Sequence, residues 1–442
     1  MDLPHQFADR TKALLKEEYP AFVNALSQPV PTSVRVNNKM IYEPSQERVP
    51  WCNTGYYLVE RPLFTADPLF HAGIYYVQEA SSMFLAQAVT QYFPDAKSVL
   101  DLCAAPGGKS TLLSQFLGDD CLLVSNEIIR SRAYVLAENL VKWGSPNTIV
   151  TNNHPRDFEC LPDYFDAIVV DAPCSGEGLF RKDPDAVSEW SEANVKMCAE
   201  RQKEIIADVW DSLKSGGILV YSTCTYNREE NENNVDWICN EFDADLQRIN
   251  LSENKDIVES DFGYRFFPHR TRGEGFFMSV VRKKESFNRS KEFKTDKKKG
   301  IKFVNSSGLL FKLVNSTERT LINDDNYIRA YSSARLNEFL YINKNLKCIE
   351  SGVLVAEIKG SDVIPAAQLA LSKEMDRENI QTAEVDLNTA IAFLKKESIY
   401  LPDCSSGYVL ILYKNQALGW VKNLGNRTNN LYPNNWRIRM NL

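Results

Sequence analysis

Between residues 97 and 284, short apolar runs alternate with amphipathic stretches at helical spacing. The pattern predicts strands over 98–103, 121–127, 147–152, 165–173 and 218–225, and helices over 111–117, 130–143 and 189–213. Gly144 stops the second of these helices and Gly216-Gly217 the third. The strands are apolar throughout rather than alternating, the mark of strands buried on both faces. Units of this kind build a parallel sheet with helices on either side. The stretch 265–283 adds an antiparallel hairpin with Gly273 and Gly275 in its turn.

The flanking regions read differently. Leu14, Leu15, Phe22 and Leu26 fall at helical spacing and predict one amphipathic helix over 10–27. A strand is expected over 31–37 and a helix over 78–93, ended by Pro94-Asp95. Residues 282–302 carry ten Lys/Arg against three Asp/Glu with almost no apolar content, the composition of a linker. Beyond it, 406–422 reads as a hairpin around Lys414-Asn415-Gln416. The expected organisation is an N-terminal α+β region (1–95), an α/β domain (96–284), a basic linker (285–302) and a separable β-rich domain (303–442).

Composition narrows the setting. A chain of 442 residues with 44% hydrophobic and 25% charged residues is expected to be globular, with two or three domains. It has no apolar run long enough to span a bilayer, and no signal segment is expected at its start. Ten cysteines without a C-x-x-C pair, and only four histidines, point to a reduced, cytoplasmic protein with no metal site. The net charge of −7 disfavours non-specific nucleic-acid binding by the whole chain but leaves room for a local basic surface.

The segment DLCAAPGGKST, starting at Asp101, joins the first strand to its helix. Glycines there let the backbone approach a ligand, and the helix N-terminus is electropositive. A triphosphate-binding loop would need glycine five residues before Gly108, and Cys103 stands there. Glu127 lies 20 residues after Gly107, where an acid takes the ribose hydroxyls of an adenosine-type cofactor. The G-x-G-x-x-G of nicotinamide sites is missing.

Cys174, in Asp171-Ala-Pro-Cys174, and Cys224, in Tyr221-Ser-Thr-Cys224, close two neighbouring strands. Strand C-termini face the crevice where open α/β sheets bind ligands, so both thiols can meet one substrate. Cys103, Cys121, Cys198 and Cys239 read instead as small buried apolar residues. A thiolate adding to carbon 6 of a pyrimidine makes carbon 5 nucleophilic toward a methyl donor. Such a step asks for a thiol, a nearby acid and a base for the later elimination, roles that Cys224, Asp171 and Cys174 can fill.

The stretches SVRVN (33–37), HAGIYYVQEASSM (71–83), DLCAAPGGKST (101–111), NEIIRSRAYVLAENLVKWG (126–144), DAPCSGEGLFRKDP (171–184) and YSTCTYNREENE (221–232) together resemble the Nol/Nop/Sun family of RNA cytosine-5 methyltransferases. Within it, the chain is similar to the bacterial small-subunit ribosomal RNA methyltransferases of the F type. The tail GWVKNLGNRTNNLYP resembles their PUA-like RNA-binding domain. The resemblance implies a class I, Rossmann-like α/β fold that binds S-adenosyl-L-methionine through Cys103, Ala104, Ala105, Pro106, Gly107, Gly108, Lys109, Glu127, Asn153 and Asp171. Asn153 stands where the family often has an acid near the adenine. The family assigns the attacking thiol to Cys224 and product release to Cys174, and Lys109 is expected to orient the site. The implied reaction is methylation of a cytosine in 16S ribosomal RNA by a monomer acting on RNA away from membranes. The alternatives are a transfer-RNA cytosine methyltransferase, which shares the core residues, and an inactive RNA-binding assembly factor.

Overall fold

The computed structural model describes residues 3–39, 46–251, 254–285, 301–304, 318–378 and 380–440. Most of the expected basic linker, Lys297, Lys298 and Lys299 included, lies outside the described residues.

The core is a ten-stranded sheet, and five of its strands run parallel in the order Leu213–Thr223, Phe165–Asp171, Ser98–Asp101, Leu122–Asn126 and Thr148–Thr151. The strands Gly263–Phe266 and Phe276–Lys283 extend it antiparallel, as the hairpin pattern predicts. Side chains alternate between the two faces. Val99, Leu123, Val169 and Val220 enter one core with Leu112 and Leu113, and Leu100, Val124, Ile168 and Leu219 enter another with Val209 and Trp210. Both sets are buried, which is why these strands lack polar alternation.

Elsewhere local chemistry adjusts the expected elements. The single helix over 10–27 is two, His5–Leu15 and Tyr19–Leu26, because Pro20 has no N–H to continue a helix and sits instead in the first turn of a new one. The helix over 78–93 begins as the 3-10 turn Ser81–Phe84 before Leu85–Tyr92. The helix over 189–213 runs over Glu192–Val209, where the Ser191 hydroxyl caps the Asn194 amide.

The span 303–442 packs against the rest of the chain in two parts. Its first part forms a five-stranded sheet, but the strand Cys348–Ser351 leaves it and pairs antiparallel with Thr148–Thr151 at the edge of the central sheet. Leu336, Phe339 and Ile342 share a core with Val209, Trp210 and Ile238. The last part is a four-stranded sheet with the helix Leu387–Leu394. Its hairpin, Gly407–Tyr413 to Gln416–Asn423, turns on Lys414 and Asn415 with φ of 49° and 59°, the left-handed pair that a two-residue turn between twisted strands requires. Phe393, Leu394, Val409 and Ile411 pack in one core with Val34, Val36, Leu69 and Ile74 of the N-terminal region. The two halves thus bury each other's apolar faces. No helix among the described residues is long and apolar enough to cross a membrane.

Candidate active site

At the C-terminal ends of the parallel strands a cavity of about 460 Å³ opens, lined by Cys103, Ala104, Ala105, Pro106, Gly108, Lys109, Asp171 and Cys224. Its opposite wall comes from the N-terminal region, with Thr32, Ser33, Tyr76, Gln78 and Glu79. Arg35, fully buried, joins the two walls: it donates to Gln78 Oε1 (2.8 Å) and to Thr111 of the helix that starts at Gly108, and lies 4.4 Å over the Trp143 ring. Gly107, which caps that helix with φ of 114°, is not among the lining residues, nor are Cys174, Glu127 and Asn153.

The thiols meet as the strand ends predict. Strands Phe165–Asp171 and Leu213–Thr223 pair with Asp171 opposite Ser222, so the loops leaving them emerge side by side. Cys174 Sγ lies 3.0 Å from Cys224 Sγ, and the Cys224 amide donates to Cys174 Sγ at 3.3 Å. The hydrogen bond to Cys224, followed by burial, pushes the Cys174 pKa well above the ordinary thiol value, so Cys174 keeps its proton. Close packing fixes this corner: Gly178 donates its amide to the Cys224 carbonyl (2.8 Å), and a Cβ there would stand 2.5 Å from the Gly275 oxygen.

Beneath the loops lies Glu230, fully buried and not singled out by the sequence reading. It accepts from the Ser175 amide (3.0 Å) and hydroxyl, from Asn227 Nδ2 (2.7 Å) and from Gln202 Nε2 (2.7 Å). Ser175 Oγ also bonds Thr225 Oγ1 (3.1 Å), so one hub holds the residues next to both cysteines. Glu230 sits in a run with Glu229 and Glu232; Glu232 is buried too, but against Arg265, and nothing in the sequence marks which of the three reaches the loops of the cysteines.

Asp171 accepts from Ser222 Oγ (2.8 Å) and pairs with Lys109 Nζ (2.8 Å). Burial disfavours the Lys109 ammonium, but Asp171, and behind it Asp101, outweigh that and raise its pKa. Asp101, fully buried, accepts from Ser110 Oγ (2.6 Å), while its Oδ1 has no hydrogen-bond partner among the described residues. Burial pushes its pKa up to about 7. Cys103, between Asp101, Asp171 and Glu127, is likewise pushed up, first by burial and then by the three carboxylates.

Glu127 is buried and already aimed: Oε1 accepts from the Ile129 amide (2.8 Å) and Oε2 lies 3.5 Å from Arg132, which also donates to the Ala105 carbonyl (2.9 Å). Arg132 thereby ties the acid to the glycine loop, a link invisible to spacing. The Asn153 side-chain amide is already engaged within the chain: it donates to the Lys347 carbonyl (3.2 Å) and accepts from the Lys347 N–H (3.1 Å). Its partner is backbone 194 residues away.

The donor set suits S-adenosylmethionine. The glycine loop allows close approach, a buried carboxylate such as Glu127 is the kind of group that accepts from ribose hydroxyls, and Asp171 is an acid of the sign that suits a sulfonium.

Comparison with known proteins agrees. The family model for 16S rRNA methyltransferase RsmB/F matches residues 91–282, that for the N-terminal domain of 16S rRNA methyltransferase RsmF matches 3–80, and that for the methyltransferase RsmF PUA domain matches 381–438. The chain is 31% identical to ribosomal RNA small subunit methyltransferase F of Shewanella piezotolerans, over 93% of this chain and 92% of that one. It is 30% identical to the protein of that name from Vibrio vulnificus, over 98% and 97%. A methyltransferase homolog protein from Pyrococcus horikoshii of known structure is 29% identical, with a TM-score of 0.55 over 63% of this chain and 94% of that chain. Matched along nearly its whole length, with Cys224, Asp171 and Lys109 in one crevice and Cys174 3.0 Å from Cys224, this chain belongs to the ribosomal RNA small subunit methyltransferase F family.

Proposed function

We propose that this enzyme methylates carbon 5 of a cytosine in small-subunit (16S) ribosomal RNA through a covalent bond between Cys224 and carbon 6. The carrying observation is the pair of thiols 3.0 Å apart beside Asp171 and Lys109. The bound cofactor supplies an electrophilic methyl group. The target base leaves its stack to reach the crevice, so single-stranded or locally opened RNA is the substrate. The N-terminal region and the PUA unit, which share one core, supply an RNA-holding surface.

Cys224 attacks carbon 6 as the thiolate while N3 takes up a proton relayed through Asp171 from the Lys109 ammonium, so that no negative charge builds on the ring, and that proton returns by the same path when the adduct breaks down. Carbon 5 is then nucleophilic and takes the methyl group. Cys174 comes into play next. Its proton is held first of all by Cys224, and once the Cys224 sulfur is a neutral thioether that hold is gone. Cys174 sheds its proton to solvent, takes the proton from carbon 5, the carbon 5–carbon 6 double bond re-forms, and Cys224 leaves as the thiolate.

The test uses both single variants with labelled cofactor. Cys224→Ala abolishes methylation and forms no adduct, whereas Cys174→Ala methylates, then stalls as a protein–RNA complex that survives denaturing electrophoresis. An adduct in Cys224→Ala would overturn the assignment. Bisulfite sequencing of RNA from a strain lacking the gene shows lost protection in 16S ribosomal RNA; loss confined to transfer RNA would overturn the substrate.

A further inference from the structure

Glu127 and the segment Asn152-Asn153 end the second and third parallel strands, yet part of what holds them comes from much later in the chain. Where Cys348–Ser351 joins the sheet edge, Lys347 meets both asparagines. Its carbonyl accepts from the Asn152 amide (2.9 Å) and from Asn153 Nδ2 (3.2 Å), and its N–H donates to Asn153 Oδ1 (3.1 Å). Lys347 Nζ donates to Asn152 Oδ1 (3.1 Å). Asn152 Nδ2 in turn donates to the carbonyls of Glu127 and Ile128, each at 2.8 Å. Asn153 is also coupled to Asn126: its amide donates to Asn126 Oδ1 (3.0 Å), and Asn126 Nδ2 donates to the Asn153 carbonyl (3.1 Å) and to Leu102 at the start of the glycine loop (3.2 Å). Lys347 is thus the outer end of a hydrogen-bond chain that reaches the ends of the first three parallel strands, at Leu102, Asn126 to Ile128 and Asn152-Asn153.

We infer that Lys347 is a positioning residue for the cofactor, acting through its backbone N–H and carbonyl to fix Asn152, Asn153 and the Glu127 turn before S-adenosylmethionine arrives. The inference rests on the reading that Glu127 takes the ribose. A loop ordered in advance spends less of the binding free energy on ordering, so the effect falls on affinity rather than on the chemical step. Asn153 is a clamp in this arrangement, not a reader of the adenine.

The experiment measures S-adenosylmethionine binding to the full chain by calorimetry, with KM, kcat and amide exchange of the free protein. Lys347→Pro deletes the N–H and the side chain, and raises Kd and the cofactor KM about tenfold while kcat at saturation stays within about twofold. Lys347→Ala keeps both backbone groups and loses only about twofold. Asn153→Ala reproduces the loss in Lys347→Pro, speeds exchange at residues 126–129 before any cofactor is added, and adds little when the two changes are combined. Unchanged affinity in Lys347→Pro overturns the inference. So does an Asn153→Ala variant that weakens binding with exchange at 126–129 unaltered, a readout that serves even if Lys347→Pro does not fold. Glu127→Ala is the separate control: it weakens binding about ten- to hundredfold if Glu127 holds the ribose, and no change there sinks the parent reading whatever Lys347 does.

Discussion

The two ends of the crevice are built in different ways. On the thiol side, Cys174, Cys224, Ser175, Thr225, Asn227, Gln202 and Glu230 all come from within 57 positions of one another, between two neighbouring strands. On the side proposed for the adenosine, Glu127 and Asn153 are braced by Arg132 from the next helix and by Lys347, which leads into a strand inserted much later. The thiol side is a closed local network. The adenosine side is a surface that other parts of the chain complete.

The largest test of this difference is deletion of 303–442. The truncated chain exposes Val34, Leu69 and Ile74 on one side and Val209 and Trp210 on another. It is expected to lose cooperative melting, followed by circular dichroism, and cofactor binding with it. A truncated chain that still binds S-adenosylmethionine normally would make the two ends equally local.

Next in size is Glu230→Ala, which strips the thiol side of its hub. The Ser175 amide, Asn227 and Gln202 are left as buried donors, at a cost of about 3–5 kcal/mol in stability by denaturant titration. The methyl-transfer rate falls with it as the loops loosen, while cofactor Kd moves little. A large change in Kd would tie the two ends together.

Asp101 lies between the ends and gives a pH signature. Its folded pKa, about 7, exceeds its ordinary 3.8, because burial penalises the ionised form. The folded state therefore binds the extra proton. The stability this contributes is full below about 3.8 and is lost as pH rises through about 7. Relative to wild type, Asp101→Asn is expected to gain melting temperature between pH 4 and pH 8, the gain levelling off above 7. Parallel melting curves at every pH would mean Asp101 is not desolvated.

The smallest effect is expected for Arg132→Ala. Its contact with Glu127 is 3.5 Å long and its side chain is half exposed, so cofactor affinity should weaken by only about 0.5–1 kcal/mol in calorimetry. A larger loss would show that the Arg132–Ala105 link also holds the glycine loop.

The sequence by itself determined the parallel sheet, the glycine loop and the convergence of Cys174, Cys224 and Asp171. Apolar runs decide which strands are buried on both faces, and residues at adjacent strand ends are brought together by the sheet whatever the rest of the chain does. Only the tertiary structure decided that Glu230 is the acid under the cysteine loops, that Asp101 is desolvated, that Arg35 joins the two walls and that Asn153 faces Lys347. It also decided that the strand Cys348–Ser351 pairs with the central sheet and that 303–442 shares cores with both other regions. Such contacts depend on which distant surfaces meet, and pairing across nearly 200 residues leaves no period or spacing for a single sequence to display.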